Sequence, residues 1–355
     1  MNPLHEPGRP SAHALTRLAA LQAMLRSFGS VCIGYSGGVD SVFLAITAMD
    51  TLGADRVLAV TGISDALPSE QRRVVREYAT AYGLPHRELR TDEVDDPRYA
   101  ANPANRCYYC KTELWAKLAD VARGCGLAVV IDGANADDAT DYRPGAVAAR
   151  EHAVRSPMLD VGLTKADIRS LSRQRGLSAW DRPASPCLSS RLPYGVAVTR
   201  ERLAQIDAAE EWMRRAGFRE FRVRHHGDAA RVEVAAVETV RALAMTEAMY
   251  GALRSLGFAH VLLDVEGYRR GALNEALLPV RIGRRAARGP AAGPLAVPGG
   301  QGSAEVRPAG QRGEIACVRA APERFAQLAD LAPGIRARGF RYIALDLAPP
   351  EGSDD

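Results

Sequence analysis

The 355-residue sequence is almost without lysine: Lys111, Lys117 and Lys165 stand beside 43 arginines (46 basic residues less three). The composition takes Arg wherever any cation serves, so each surviving Lys asks for a reason. Aromatic residues reach only 6%. No apolar run approaches the ~20 residues that a membrane helix requires, which excludes a chain that crosses a bilayer by helices. Net charge is small, 46 − 42 = +4, too little to demand nucleic acid but compatible with anionic ligands such as phosphates. Met1 to Pro10 carries Pro3, Pro7 and Pro10 and no apolar core behind a basic start, so it does not read as a secretory signal, and a cytoplasmic location is expected. Cysteine is sparse as well, at positions 32, 107, 110, 125, 187 and 317. In a reducing compartment such thiols point to metal or catalysis before disulfides.

What is present is the stuff of a folded chain: 47% apolar and 25% charged residues, in a length that suits two modest domains. Leu15 to Phe28 has helical apolar spacing, and Val31 to Tyr35 is an apolar run of strand length. Ser36-Gly37-Gly38-Val39-Asp40-Ser41 follows, then the helical stretch Val42 to Met49. Arg56 to Thr61 reads as a second strand, Glu70 to Tyr82 as a helix stopped by Gly83 and Pro85, and Leu127 to Ile131 as a strand ending at Asp132-Gly133. Strands alternating with helices predict an α/β fold with a doubly wound parallel sheet, whose ligands bind beyond the carboxyl ends of the strands.

Further on, Thr164 with Asp167 signals the start of a helix from Lys165 to Arg175. A Pro- and Ser-rich loop runs from Trp180 to Val198. Helices over Thr199–Ala216 and Val237–Leu256 and strands over Phe221–His225, Arg231–Val234 and His260–Val265 predict a second, smaller α+β domain. Gly283 to Gly313 holds 12 Gly plus Pro in 31 residues, a composition that reads as a flexible linker. Beyond it, Gly339-Phe340-Arg341-Tyr342-Ile343-Ala344-Leu345-Asp346-Leu347 echoes Gly257-Phe258-Ala259-His260-Val261-Leu262-Leu263-Asp264-Val265 at an offset of 82 (339 − 257). The expected organisation is a flexible terminus over 1–11, a nucleotide-binding domain over 12–160, the smaller domain over 161–275, a linker over 276–313 and a partial strand-helix-strand repeat over 314–355.

The loop Ser36 to Ser41 is the most specific chemical signal. Its glycines admit a polyanion without an obstructing Cβ, and the following helix N-terminus presents N–H groups to phosphate. A carboxylate among phosphates is repulsive unless a cation bridges them, so Asp40 points to Mg²⁺. The hexapeptide is neither the Walker A loop nor the dinucleotide Gly-x-Gly-x-x-Gly pattern. It resembles the pyrophosphate (PP) loop of the adenine-nucleotide α-hydrolase superfamily, and that resemblance implies an ATP site at Ser36, Gly37, Gly38, Asp40 and Ser41, with ATP split to AMP and pyrophosphate.

Cys107 and Cys110 have metal-pair spacing but need a third ligand. Cys187 lies in a turn-rich loop near Arg182 and Arg191, a setting that favours a thiolate. Three such thiolates suit a [4Fe–4S] cluster with one iron left open to bind an extra sulfide; zinc, or a redox pair at 107 and 110, are the alternatives. Cys32, Cys125 and Cys317 read as buried packing residues. Arg222 and Arg224, two apart on a strand, share one face and suit a phosphate, or else form a solvated arginine face. Lys111 is a further candidate for phosphate or carboxylate contact. His225 and His226 read as surface residues at a strand end rather than ligands.

Taken together, the PP-loop, Asn105 to Lys111, Asp132-Gly133, Asp141-Tyr142-Arg143-Pro144-Gly145, Cys187 to Gly195, and Arg222-Val223-Arg224 through Glu233 resemble the LarE family over residues 12 to 275. The resemblance implies an ATP-dependent sulfur transferase that adenylates the carboxylates of pyridinium-3,5-biscarboxylic acid mononucleotide and converts them to thiocarboxylates for the nickel-pincer cofactor of lactate racemase. Asp40 and Cys187 would be catalytic, Asp40 would bind Mg²⁺, and Arg222, Arg224 and Lys111 would meet the substrate's phosphate. Single-cysteine members surrender the sulfur of the residue matching Cys187 and lack the pair at 107 and 110. This chain has all three, so the expected type holds a [4Fe–4S] cluster on Cys107, Cys110 and Cys187. The family also implies a homo-oligomer and, as partners, the other nickel-pincer maturation enzymes. The rival readings are a tRNA thiolase of the same superfamily, although no RNA-binding motif is evident, and a non-catalytic nucleotide-binding module.

Overall fold

The computed structural model describes residues 10–140, 144–183, 185–269, 292–296 and 303–349. Two compact units divide them, the first ending at Cys187 and the second beginning at Leu188. Expected features at 1–9, at Asp141-Tyr142-Arg143 and over most of 276–302 lie outside the described residues.

The first unit alternates helices and strands in the order α1 Ala12–Phe28, β1 Val31–Gly34, α2 Val39–Leu52, β2 Val57–Ile63, α3 Ser69–Ala81, β3 His86–Arg90, α4 Pro97–Ala100, α5 Arg106–Gly124, β4 Val129–Ile131, α6 Pro144–Glu151, α7 Pro157–Asp160 and α8 Lys165–Gln174. The strands form a parallel sheet in the order β3-β2-β1-β4. Side chains alternate along a strand, and β1 shows it: Val31 and Ile33 join one apolar cluster with α1, α2 and α8, while Cys32 joins another with α5 and α6. Burial on both faces is why β1 reads as an unbroken apolar run. Strand order reverses between β1 and β4, and the loops after these two strands, Ser36–Ser41 and Asp132-Gly133, therefore sit at the switch point where open α/β sheets bind ligands.

The sequence reading ended this unit at 160, whereas it extends to Cys187. The cause is packing: Met158, Leu163, Ile168, Leu171, Leu177 and Ala179 are all buried in the core built by α1, α2 and β1. Helix α8 begins with the expected capping box, Thr164 and Asp167 each bonding the other's backbone N–H.

The second unit contains α9 Arg200–Arg215, β5 Phe221–His226, β6 Ala229–Val234, α10 Thr239–Ala244, α11 Thr246–Ser255, β7 His260–Asp264, β8 Gly293–Ala296, β9 Ser303–Ala309, β10 Ile315–Arg319, α12 Phe325–Asp330, α13 Ala332–Ala337 and β11 Tyr342–Asp346. One mixed sheet runs β5-β6-β7-β11-β10-β9-β8. Val223, Val232, Leu263, Val318 and Leu345 face a shared core with α9 and α11–α13. Within the stretch read as a linker, the described parts are the strands β8 and β9, paired antiparallel with each other. Pro294 and Pro308 lie within these two strands, and neighbouring strands supply the hydrogen bonds that composition alone does not reveal.

Candidate functional site

The chain leaves β1 at Gly34, packed so closely that a Cβ there would lie 2.7 Å from the Trp115 ring. It then turns through Gly37 at φ +69°, a conformation that glycine adopts without strain. Helix α2 starts behind Gly38 with no side-chain cap, so its first N–H groups point outward without a side-chain acceptor, the arrangement that binds phosphate. Two hydroxyls brace the loop: Ser41 Oγ accepts from the Ser36 N–H at 3.2 Å and donates to the Gly38 carbonyl at 3.1 Å, and the two hydroxyls lie 3.1 Å apart. Gln71 Nε2 donates to the Ser36 carbonyl. Gly133 closes the other side, where a Cβ would sit 3.2 Å from the Ser41 nitrogen. Asp132 itself is engaged, accepting from Ala134 N–H at 3.1 Å and Ser156 Oγ at 2.7 Å.

Asp40 lies in the first turn of α2. Its Oδ2 takes the Lys165 ammonium, and its Oδ1 is buried without a hydrogen-bond partner. Burial raises the Asp40 pKa, with Asp138 adding to the rise, and Lys165 opposes both. A carboxylate with one lone buried oxygen beside an open helix N-terminus fits a divalent cation carrying phosphate. Lys165 received no role from the sequence; its rarity was the signal.

Cys107 and Cys110 occupy the start of α5, three residues apart and so on one helical face. Desolvation raises both thiol pKa values, and the charge of Cys187 raises both again. The structure thus brings the three expected thiols into one neighbourhood, within the first unit. No set of three His, Cys, Asp or Glu side chains among the described residues converges on a single ion. A [4Fe–4S] cluster takes each thiolate on a different iron and does not need that convergence. Cys107 is exposed and Cys110 and Cys187 are half-buried; as thiolates the three would repel one another, and a cationic iron centre would relieve that repulsion, so the donor set fits. Lys111 lies 4.9 Å over the Trp115 ring on the same helix. None of the six cysteines is in a disulfide. Cys32 and Cys317 are buried as expected, each pushed up to about 12. Cys125 is exposed instead, because it caps α5 where the chain turns to meet β4.

In the second unit Arg222 and Arg224 do share a neighbourhood. Arg224 forms a bidentate pair with Glu233 at 3.1 and 2.9 Å and donates to the Ser190 carbonyl at 2.9 Å. Arg222 stacks 5.0 Å over Tyr268, and its pKa is lowered by burial and by Arg191. Arg191, which the sequence offered only as a charge near Cys187, pairs bidentately with Glu210 at 2.9 and 2.8 Å while fully enclosed. Its Nη1 donates to Ser190 Oγ at 2.9 Å. The Arg222 and Arg224 guanidinium groups of β5 therefore stand close to that of Arg191, which lies on a short turn of helix outside the strand, rather than forming a solvated face. His225 and His226 are buried, not surface residues: Gln205 from α9 covers the first and Glu314 the second, at 2.9 and 2.6 Å. Both rings have pKa values pushed down to about 4 by desolvation. Among the described residues no helix is long and apolar enough to cross a membrane.

A parallel 3-2-1-4 sheet with Ser-Gly-Gly-Val-Asp-Ser at its switch point is the PP-loop architecture, here joined to a second mixed-sheet unit. No family model matches the chain. It is 40% identical over 265 residues to an uncharacterized protein of Synechocystis sp., covering 74% of this chain and 98% of that protein. It is 35% identical over 267 residues to the pyridinium-3,5-bisthiocarboxylic acid mononucleotide synthase of Lactiplantibacillus plantarum, covering 75% of this chain and 97% of the synthase. An uncharacterized protein of Methanocaldococcus jannaschii is 26% identical over 239 residues, 67% of this chain and 90% of that protein. The chain belongs to the LarE family.

Proposed function

We propose that this protein is an ATP-dependent sulfur transferase that converts pyridinium-3,5-biscarboxylic acid mononucleotide to its bisthiocarboxylate. The observation that carries the reading is the match to the L. plantarum synthase over 97% of that enzyme, together with a PP-loop whose Asp40 keeps one oxygen unpartnered. A ring carboxylate is a poor electrophile. Its oxygen attacks the α-phosphorus of ATP, and the electron pair of the broken bond leaves with pyrophosphate. The open N-terminus of α2, Ser36, Gly37, Gly38 and Ser41 hold that leaving group, and Asp40 would hold a Mg²⁺ ion, which would offset its charge. A sulfur nucleophile then attacks the acyl-adenylate and expels AMP, leaving a thiocarboxylate; a second cycle treats the second carboxylate.

Cys107, Cys110 and Cys187 would hold a [4Fe–4S] cluster, which would supply the sulfur nucleophile. Arg222 and Arg224 bind the substrate's phosphate, Arg224 being fixed by Glu233 and Arg222 by Tyr268, with Lys111 as a further cation. The enzyme works as a cytoplasmic homo-oligomer alongside the other enzymes of nickel-pincer maturation. Anaerobically reconstituted protein should release AMP and pyrophosphate only when ATP, Mg²⁺ and the biscarboxylate are all present, with sulfur in the product. AMP release stimulated by tRNA and indifferent to the biscarboxylate would overturn the reading in favour of tRNA thiolation; absence of pyrophosphate would leave a nucleotide-binding module.

A further inference from the structure

The end of the second unit repeats its beginning, and the two copies meet edge to edge. In the first copy β5 and β6 form an antiparallel hairpin, α10 and α11 cross over, and β7 returns parallel to β6. In the second, β9 and β10 are antiparallel, α12 and α13 cross over, and β11 returns parallel to β10. Both crossovers end at a glycine in the left-handed region, Gly257 at φ +95° and Gly339 at φ +93°. A buried phenylalanine follows each, Phe258 and Phe340.

The copies are joined by antiparallel pairing of β7 with β11. Residues 82 apart in sequence correspond, so Leu263 corresponds to Leu345, and these two lie directly opposite one another. Leu262 pairs with Asp346 and Asp264 with Ala344, which are the same pairing once the copies are exchanged. The flanking bonds obey the same exchange: Val265 N–H donates to the Ile343 carbonyl at 3.0 Å, and Leu347 N–H to the Val261 carbonyl at 3.0 Å. A contact in which each residue meets the counterpart of its own partner is the signature of a two-fold, isologous interface. An unrelated strand docking on this edge could take any register; this one centres on equivalent residues.

We propose that the edge of β7 is a self-association surface, and that this chain occupies it with its own second copy. The partner that fits the edge is a second copy of the β5–β7 unit, and the fused block closes the edge to other chains. The Synechocystis and L. plantarum relatives are matched over 98% and 97% of their length by about three quarters of this chain, so these two supply no counterpart for the remaining quarter. An unpaired β7 would show a row of free N–H and C=O groups beside the apolar core that both copies share.

The test is the subunit number of the whole protein by native mass spectrometry and sedimentation velocity, compared with two variants. In the full chain, Leu345→Pro removes a ladder N–H from β11 and clashes with its pairing to β7. In the second variant the chain stops after Glu275, close to the extent of the relatives. Each variant should give a discrete species with twice the subunits of the whole protein, and adding Leu263→Pro should return it to the parent number. A subunit number unchanged in both variants, or heterogeneous aggregate in place of a discrete species, would overturn the proposal.

Discussion

Lys165 donates its ammonium to Asp40 Oδ2, tying the first residue of α8 to the first turn of α2 beside the phosphate loop. Two elements separated by most of the first unit thus set the charge at the point where pyrophosphate would depart. Burial works to protonate Asp40 and Lys165 works to keep it ionised.

Removing Lys165 removes the effect that lowers the Asp40 pKa. In Lys165→Met the acid limb of AMP release should therefore move to higher pH, with turnover falling most on the acid side of neutrality, where more of Asp40 is protonated. The pH profile of AMP formation measures it. An acid limb left in place would show that the pair does not control Asp40.

Arg222 and Arg224 should respond differently to truncation. Arg224 shares a buried ion pair with Glu233, which Arg231 also meets at 2.9 Å, so Arg224→Ala leaves that buried carboxylate with one guanidinium and should cost about 1–3 kcal/mol of stability. Arg222 is only partly enclosed and stacks on Tyr268, so Arg222→Ala should raise KM for the mononucleotide with a smaller change in the urea midpoint. Equal losses of stability in the two variants would contradict this division.

The six cysteines sort into two groups. Alanine at 107, 110 or 187 should abolish the broad visible absorbance and the bound iron after anaerobic reconstitution, whereas Cys125→Ala, exposed at the end of α5, should leave both unchanged. Retention of a full iron complement in Cys107→Ala would remove the cluster from the account.

Burial keeps His225 and His226 neutral, with pKa values near 4 in the fold against about 6.5 in the unfolded chain. The unfolded state therefore binds more protons between those limits. The stability contributed by the neutral rings is fully present above pH 6.5 and is lost as pH falls toward 4, by up to ~3 kcal/mol for each ring. Ring-proton NMR of the two histidines should show midpoints near 4. Midpoints near 6.5 would contradict their burial.

Much of this was legible in the sequence because it rests on local rules. The apolar run of β1, the glycine turn after it and the Thr164–Asp167 capping box all announce themselves within a few residues. Strand β3, His-Arg-Glu-Leu-Arg, did not. It lies at the edge of its sheet, and its Glu88 is held to Arg72 and Arg76, so it needs no apolar alternation. Lys165 and Asp40, 125 residues apart, meet only through the tertiary fold, as do Arg191 and Glu210. The histidines misled for a related reason: their strand is an edge of its sheet, yet Gln205 and Glu314 reach over it from elsewhere.

The central claim, that sulfur reaches an adenylated carboxylate without consuming the protein, is tested most directly by the intact mass of the peptide containing Cys187. It should be measured after several turnovers of the cluster-loaded enzyme with ATP, Mg²⁺, the biscarboxylate and added inorganic sulfide, which replaces the sulfide spent in each cycle. The account predicts an unchanged cysteine and more thiocarboxylate than protein. Conversion of Cys187 to dehydroalanine, with one sulfur delivered per chain, would contradict it.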